Sequence, residues 1–150
     1  MAQIPNPRKA FNFSIFIPGL DPFLCQEVDV PEVDIDVVEH GDANFLAKTG
    51  GLKKIGTLKV KKIAPATGPD NFIWNWLFGV QNEFTGGGEL PTTYQETLVV
   101  EQYSNDGVTI LDTFVCYNCW PSKVGGVQFR RNASDNSIEE IEFQVERMAR

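Results

Sequence analysis

Two short stretches of strict alternation constrain this chain more than any other feature. In Glu32-Val33-Asp34-Ile35-Asp36-Val37, acids and branched apolar residues trade places at every step. The same period returns near the end, where Ile141, Phe143 and Val145 alternate with Glu140, Glu142, Gln144 and Glu146. Successive side chains of a strand point to opposite faces, so such segments fold as strands with one apolar and one polar side. On a helix the same residues would scatter around the whole circumference. The pattern predicts an extended region from Leu24 to His40, interrupted at Pro31, and a final strand from Ile138 to Met148.

The rest of the chain fits around these strands. Phe11 to Ile17 alternates over its first five positions, and Pro18-Gly19 ends it. Ile55 to Ile63 reads as a strand with Leu58 and Val60 inward and Thr57, Lys59 and Lys61 outward. Tyr94 to Tyr103 and Val108 to Asn118 read as two strands joined at Ser104-Asn105-Asp106-Gly107, where the Asp-Gly step favours a hairpin turn. Gly41 to Lys54 shows neither period, carries three glycines, and is expected to be a long inter-strand loop. Pro65 to Pro69 breaks the preceding strand, and Pro121 to Ser137 is rich in turn formers.

One helix is expected, from Asp70 to Phe84, capped by Asp70 or Asn71 and stopped by Gly86-Gly87-Gly88. Ile73, Trp76, Leu77, Val80 and Phe84 form its inward stripe, whereas Trp74 and Phe78 lie off it. So apolar a helix calls for a second buried face, supplied by another subunit. The fold class is therefore mainly β, an antiparallel barrel or sandwich with one flanking helix. Eleven Phe against two Met suit that class.

Charge and composition narrow the function. A net charge of −7, from 20 acids and 13 bases, disfavours an electrostatic nucleic-acid binder, which needs a basic stripe. No window approaches the roughly 18 apolar residues of a membrane helix, and Met1 to Lys9 lacks the apolar core of a secretion leader. The expectation is a protein made in the cytosol without membrane insertion. Cys25, Cys116 and Cys119 make an odd, sparse set that gives no disulfide framework.

No constellation supports chemistry. Cys116-Tyr117-Asn118-Cys119 has the CxxC spacing, but a zinc site needs two more ligands, and Cys25 and His40 stand far off and unpaired. A redox CxxC sits at a helix N-terminus in a βαβ unit that is missing here. His40, crowded by Asp34, Asp36, Glu39 and Asp42, reads as a surface histidine at a strand end. No nucleophile elbow or phosphate loop occurs, and the sequons at Asn12 and Asn132 are coincidental without a leader. No catalysis, metal or cofactor is expected. The nearly single-sign faces Glu32-Asp34-Asp36 and Glu140-Glu142-Glu146 stand out, because like charges placed opposite each other on a sheet are destabilising.

The segment Cys119-Trp120-Pro121-Ser122-Lys123-Val124-Gly125-Gly126 carries a resemblance. It is similar to the Trp-Pro-Ser-Lys element of the major tail tube proteins of contractile-tailed bacteriophages and related injection machines. Other parts agree in order: the Phe11 to Ile17 strand, then Cys25-Gln26-Glu27-Val28 leading to Val38-Glu39-His40-Gly41. The Lys48 to Lys54 stretch, Leu58-Lys59-Val60-Lys61 and the Trp-centred Phe72 to Leu77 follow. Thr85 to Pro91 departs from the pattern, being longer and more polar.

The resemblance implies one tail-tube domain over 1–150, forming hexameric rings that stack head-to-tail into a hollow conduit for genome delivery. Glu32, Asp34, Asp36, Glu140, Glu142 and Glu146 are expected to face the lumen, so that DNA passes without specific binding. Trp74, Phe78, Phe45, Leu46, Lys53 and Lys54 are expected at subunit or ring-stacking contacts, and Trp74→Ala to leave a folded but poorly polymerising chain. Implied partners are further copies of the chain and the sheath, tape-measure, baseplate and tail-terminator proteins. The implied location is the virion tail, assembled in the host cytoplasm. Two other readings remain: the tube of a phage-derived injection particle or type VI secretion system, and a monomeric ligand-binding β-barrel. Genome neighbourhood separates the first from a phage tail, and sizing chromatography the second.

Overall fold

The computed structural model describes residues 8–20, 22–41, 44–64, 71–82, 84–126, 129, 131–132 and 137–150. Among the described residues nine strands form: β1 (Phe13–Phe16), β2 (Cys25–Asp29), β3 (Val33–Gly41), β4 (Leu46–Ile55), β5 (Thr57–Ile63), β6 (Glu96–Tyr103), β7 (Ile110–Gly125), β8 (Ile138–Gln144) and β9 (Arg147–Ala149). Between β5 and β6 lie the helix α1 (Phe72–Val80) and the one-turn α2 (Pro91–Tyr94).

Seven strands form one antiparallel sheet in the order β1-β6-β7-β8-β5-β2, with β9 also on β7. Strand β7 divides its length between two layers. Its first part pairs with β6 and β9, and its last part, Trp120–Gly125, pairs with β8. One layer is thus β1-β6-β7-β9 and the other β2-β5-β8-β7, the two closing over a common core. Leu58, Val60, Leu98, Cys116, Ile141 and Phe143 lie in that core, each at most 1% exposed.

The inward residues expected on the last strand are confirmed, with Ile141 1%, Phe143 0% and Val145 8% exposed. The strand itself ends at Gln144, and the chain resumes pairing along β7 as β9. On β5, the inward Leu58 and Val60 are followed on the same face by Lys62, 1% exposed, whose cross-strand partner is Glu139, 5% exposed. The hairpin between β6 and β7 turns where expected. The Asp106 carboxylate accepts from the Val108 and Thr109 amides at 2.9 and 3.0 Å, and Gly107 adopts φ +75°. These hydrogen bonds, with the one from Ser104 the strongest, hold the Asp106 carboxyl well below the usual carboxylate range.

Three expectations are corrected. Gly41 to Lys54 is largely not a loop. Leu46–Ile55 pairs with Val33–Gly41 as a separate two-stranded sheet. The residues from Pro121 to Gly125 are not turn but the end of β7. Finally, the helix ends at Val80 rather than Phe84. The Asn82 side chain accepts from the amides of Phe84 and Thr85 at 2.9 and 3.2 Å, taking donors that a longer helix would use. The chain then doubles back so closely that a Cβ on Gly88 would lie 2.0 Å from the Val80 carbonyl oxygen. Phe84 consequently leaves the inward stripe and is 93% exposed.

At the other end of α1, Asn71 occupies the cap position without a side-chain hydrogen bond, and Asp70 lies outside the described residues. So do Asp42, the 65–69 break and most of the stretch from 127 to 136, the sequon residues Ala133 and Ser134 among them.

Candidate functional site

Three surfaces stand out: a projecting arm, a charged sheet face, and a helix with two apolar sides.

The arm is the β3–β4 hairpin. The Gly56 amide donates to the Glu32 carbonyl at 2.8 Å and closes its base, and Val33 pairs with Ile55 above that point. Beyond the base the two strands touch each other and little else. The expected alternation holds on β3, with Val33, Ile35 and Val37 on one face and Asp34 and Asp36 on the other. The apolar face, however, meets no core: Ile35 is 58% and Val37 62% exposed. Phe45, Leu46 and Leu52 add 66%, 54% and 77% exposure. Such a cluster on a strand pair with no layer behind it signals a surface covered by another protein. Lys54 sits opposite Asp34 and its ammonium lies 3.3 Å from Asp36, while Lys53 sits opposite Ile35. The His40 ring is 3.0 Å from the Thr49 hydroxyl on the exposed arm.

The charged face belongs to the β2-β5-β8-β7 layer. Cross-strand partners point the same way, which sets Glu27 beside Lys61, Asp29 beside Lys59, and those lysines beside Glu140 and Glu142. Lys123 sits across from Glu142 on the far side. Acid and base therefore alternate strand by strand. The Lys61 ammonium is 3.4 Å from Glu27 and 3.9 Å from Glu140. These exposed opposite-charge neighbours are worth up to about 1 kcal/mol each. The six acids expected on one wall are spread over separate places. Asp34 and Asp36 lie on the arm, Glu32 at its base, and Glu140 and Glu142 on β8. Glu146 lies in the break before β9, where it accepts from Asn118 at 2.9 Å. Among the described residues the acids of this layer form no like-charge ladder, because lysines stand between them. Glu27 and Asp29 are the face residues that sequence reasoning passed over. Their two-residue spacing before Pro31 was the available signal.

Helix α1 turns Ile73 and Trp76 inward, with the Trp76 ring 5.6 Å from Phe143 and its indole donating to the Tyr94 carbonyl at 2.6 Å. Trp74 and Phe78 pair on another side, with centroids 6.2 Å apart. Trp74 is half-buried and donates to the Glu139 carboxylate at 3.3 Å, whereas Phe78 is 41% exposed.

The Trp120-Pro121-Ser122-Lys123 element is a bulged strand. Trp120 packs edge-on to Tyr94, with centroids 6.0 Å apart. Pro121 lies opposite Phe143 and Lys123 opposite Glu142, leaving Ser122 as the extra residue. The Ser122 hydroxyl donates to the Glu142 carbonyl at 3.3 Å and accepts from the Gln144 amide at 3.0 Å.

Cys116 and Cys119 are both fully buried within β7. A second bulge, with Asn118 at φ 54°, puts both thiols on the core side although they are three residues apart. The hydrogen bond with Cys116, then burial, pushes the Cys119 thiol up. Among the described residues no cluster of three or more His, Cys, Asp or Glu is arranged to hold a metal ion, and no helix is long and apolar enough to cross a membrane.

Comparison with known proteins adds to this geometry. Residues 9–149 match the family model described as T4-like virus tail tube protein gp19. No curated protein sequence matches the chain. Among solved structures, the anti-feeding prophage cap (AFP tube terminating cap) is similar with a TM-score of 0.81 and 12% identity, over 99% of this chain and 93% of that one. The sheath/tube terminator of an extracellular contractile injection system gives a TM-score of 0.77 and 16% identity, over 98% of both chains. The sheath-tube complex of the same kind of system gives 0.74 and 16%, over 95% of this chain and 90% of that one.

Proposed function

The chain belongs to the T4-like virus tail tube protein gp19 family and is a tube subunit, and from that premise we propose that residues 1–150 act as one domain in hexameric rings stacked into a hollow conduit. The observation that carries the stacking is the arm: an apolar β-hairpin that, beyond Ile55 at its base, packs no described side chain into the core of its own subunit. In the tube it reaches the next ring, with Phe45, Leu46, Lys53 and Lys54 in the contact. Phe78, and the exposed part of Trp74, supply the contact around α1. A head-to-tail contact that does not close on itself generates a filament.

The polar face of β2-β5-β8-β7 lines the lumen, with Glu140 and Glu142 in the wall and Glu32, Asp34, Asp36 and Glu146 adding charge from the arm and the β8–β9 break. On that layer four acids, Glu27, Asp29, Glu140 and Glu142, stand against three lysines, Lys59, Lys61 and Lys123. The wall is weakly negative, and each of its lysines stands across from at least one acid on the next strand. A phosphate within the screening length of about 8 Å meets no free basic stripe. DNA thus passes without specific binding.

The role is structural, without catalysis or cofactor. The partners are further copies of the chain together with sheath, tape-measure, baseplate and tail-terminator proteins. The particle is a contractile phage tail assembled in the host cytoplasm and delivering a genome. The similarity to injection-system structures favours, as a second reading, the tube of a phage-derived injection particle. Negative-stain microscopy of the purified protein tests the assembly: sixfold rings and stacked tubes are expected. A monomer that persists at high concentration, with the arm unshielded, would overturn it.

A further inference from the structure

The Cys116-Tyr117-Asn118-Cys119 motif has no part in the tube reading, and its setting in β7 is that of a dithiol able to close. In a regular strand, residues three apart point to opposite faces. Here the bulge changes the count. Cys116 lies opposite Leu98 and Cys119 opposite Glu96, so three steps along β7 match two along β6. The two cysteines therefore stand as next neighbours on one face, about 6.6 Å apart at the rise of a strand. A disulfide accepts Cα separations of about 4.4–6.8 Å. The sulfurs meet as well. The Cys119 thiol donates to the Cys116 sulfur, and the amide of Leu98, the residue facing Cys116, donates to the Cys119 sulfur. Both side chains are 0% exposed, while Tyr117 and Asn118 between them are exposed. Local opening of that bulge is the short way in for a small reagent.

We propose that Cys116 and Cys119 are a covalent modification site, a pair that closes to a disulfide within one subunit by exchange with a low-molecular-weight disulfide of the glutathione type. The Cys116 thiolate attacks one sulfur of that reagent, and the first thiolate leaves with the proton given up by Cys116. The Cys119 sulfur then attacks the Cys116 sulfur, and the second thiolate leaves with the Cys119 proton. One reagent disulfide is reduced to two thiols, and two protein thiols become one bond. The hydrogen bond from Cys119 favours the thiolate at Cys116, which makes Cys116 the attacking sulfur and Cys119 the resolving one. Closure fixes the bulge where the chain returns to β7. The Tyr117 carbonyl accepts from the Glu146 amide at 3.2 Å, and the Asn118 side chain donates to the Glu146 carboxylate at 2.9 Å. Glu146 immediately precedes β9, so the bond staples the seam on which the C-terminal strand docks. A chain made among reduced thiols keeps the pair open, and one carried into an oxidising medium closes it. The chemistry belongs to the single subunit and stands apart from the tube reading.

The test incubates the unaltered protein with glutathione disulfide and then alkylates it. Intact mass should show the loss of two hydrogens with no lasting glutathione adduct, and the product should run as a single chain on a non-reducing gel. Chymotryptic cleavage after Tyr117 should leave its two flanking peptides joined until a reductant is added. Tm should rise by about 4 to 6 °C, as expected for a four-residue loop in a chain of 150 residues. Hydrogen exchange at Glu146 and along β9 should slow, and dithiothreitol should reverse both changes. Cys119→Ala, lacking the resolving sulfur, should instead retain one glutathione on Cys116. A protein whose mass is unchanged, whose bond involves Cys25, or which links chain to chain overturns the proposal and leaves the tube reading intact. Absence of rings and tubes by microscopy overturns the tube reading alone.

Discussion

Replacing Trp74 by alanine should weaken the subunit before it weakens the tube. The sequence alone suggests a contact residue whose loss spares the fold, but the indole donates to Glu139, a carboxylate only 5% exposed. Removing one hydrogen bond to a charged acceptor costs about 1.5–3 kcal/mol. Losing the ring pair with Phe78 costs about 0.5–1.5 kcal/mol more. The sum is about 2–4.5 kcal/mol. An unfolding entropy of about 2.1 cal/mol/K per residue, over 150 residues, converts this to a fall in Tm of about 6 to 14 °C. Trp74→Phe keeps a ring and drops the donor, so it should show roughly two thirds to three quarters of that fall. Circular dichroism melts at concentrations below assembly measure both. A Trp74→Ala protein that melts within about 2 °C of the parent would refute the reasoning and return Trp74 to a pure contact role.

Asp112 gives a pH prediction. Hydrogen bonds from Arg150 and then Arg8 hold its carboxyl at about 2, against an ordinary value of 3.8. The folded value is the lower one, so the stabilisation is complete above about pH 4 and is lost as the pH falls toward 2. Hydrogen exchange should show β9, which ends beside Arg150, losing protection over that window, and Asp112→Asn should remove the dependence. On the arm, Phe45→Ser with Leu52→Ser should leave Tm nearly unchanged, because both side chains are already exposed. Assembly should suffer instead. Burying a leucine contributes about 1.5–3 kcal/mol, so sedimentation should show the concentration needed for tubes rising roughly tenfold or more. Unchanged assembly would remove the arm from the stacking contact.

What the sequence determined by itself is what a single buried face imposes. Ile141, Phe143 and Val145, and Leu58 with Val60, are legible because one side of their strands meets a core, and period two then has only one solution. The same parity carries Lys62 and Glu139 inward, a consequence that residue type obscured. The hairpin at Asp106-Gly107 is legible because its turn chemistry is local.

The arm was not legible as a strand pair. Apart from Ile55 at the base, both faces of β3–β4 lie outside the core of their own subunit, so no burial stamps a period on the strand, and Gly50 and Gly51 fall beside a register shift. The end of β7 was hidden by Pro121 and by the bulge at Ser122, which break both local signals of a strand. The two acidic stripes were correctly read as polar faces, but their meaning depended on neighbours on other strands, Lys54 for Asp34 and Asp36 and the distant Lys61 and Lys59 for Glu140 and Glu142. Only pairing brought Lys59 and Lys61 between Glu27 and Asp29 on one side and Glu140 and Glu142 on the other. Alternation along a strand fixes which side a charge takes. Which charge it meets is decided by register between strands, and that belongs to the tertiary structure alone.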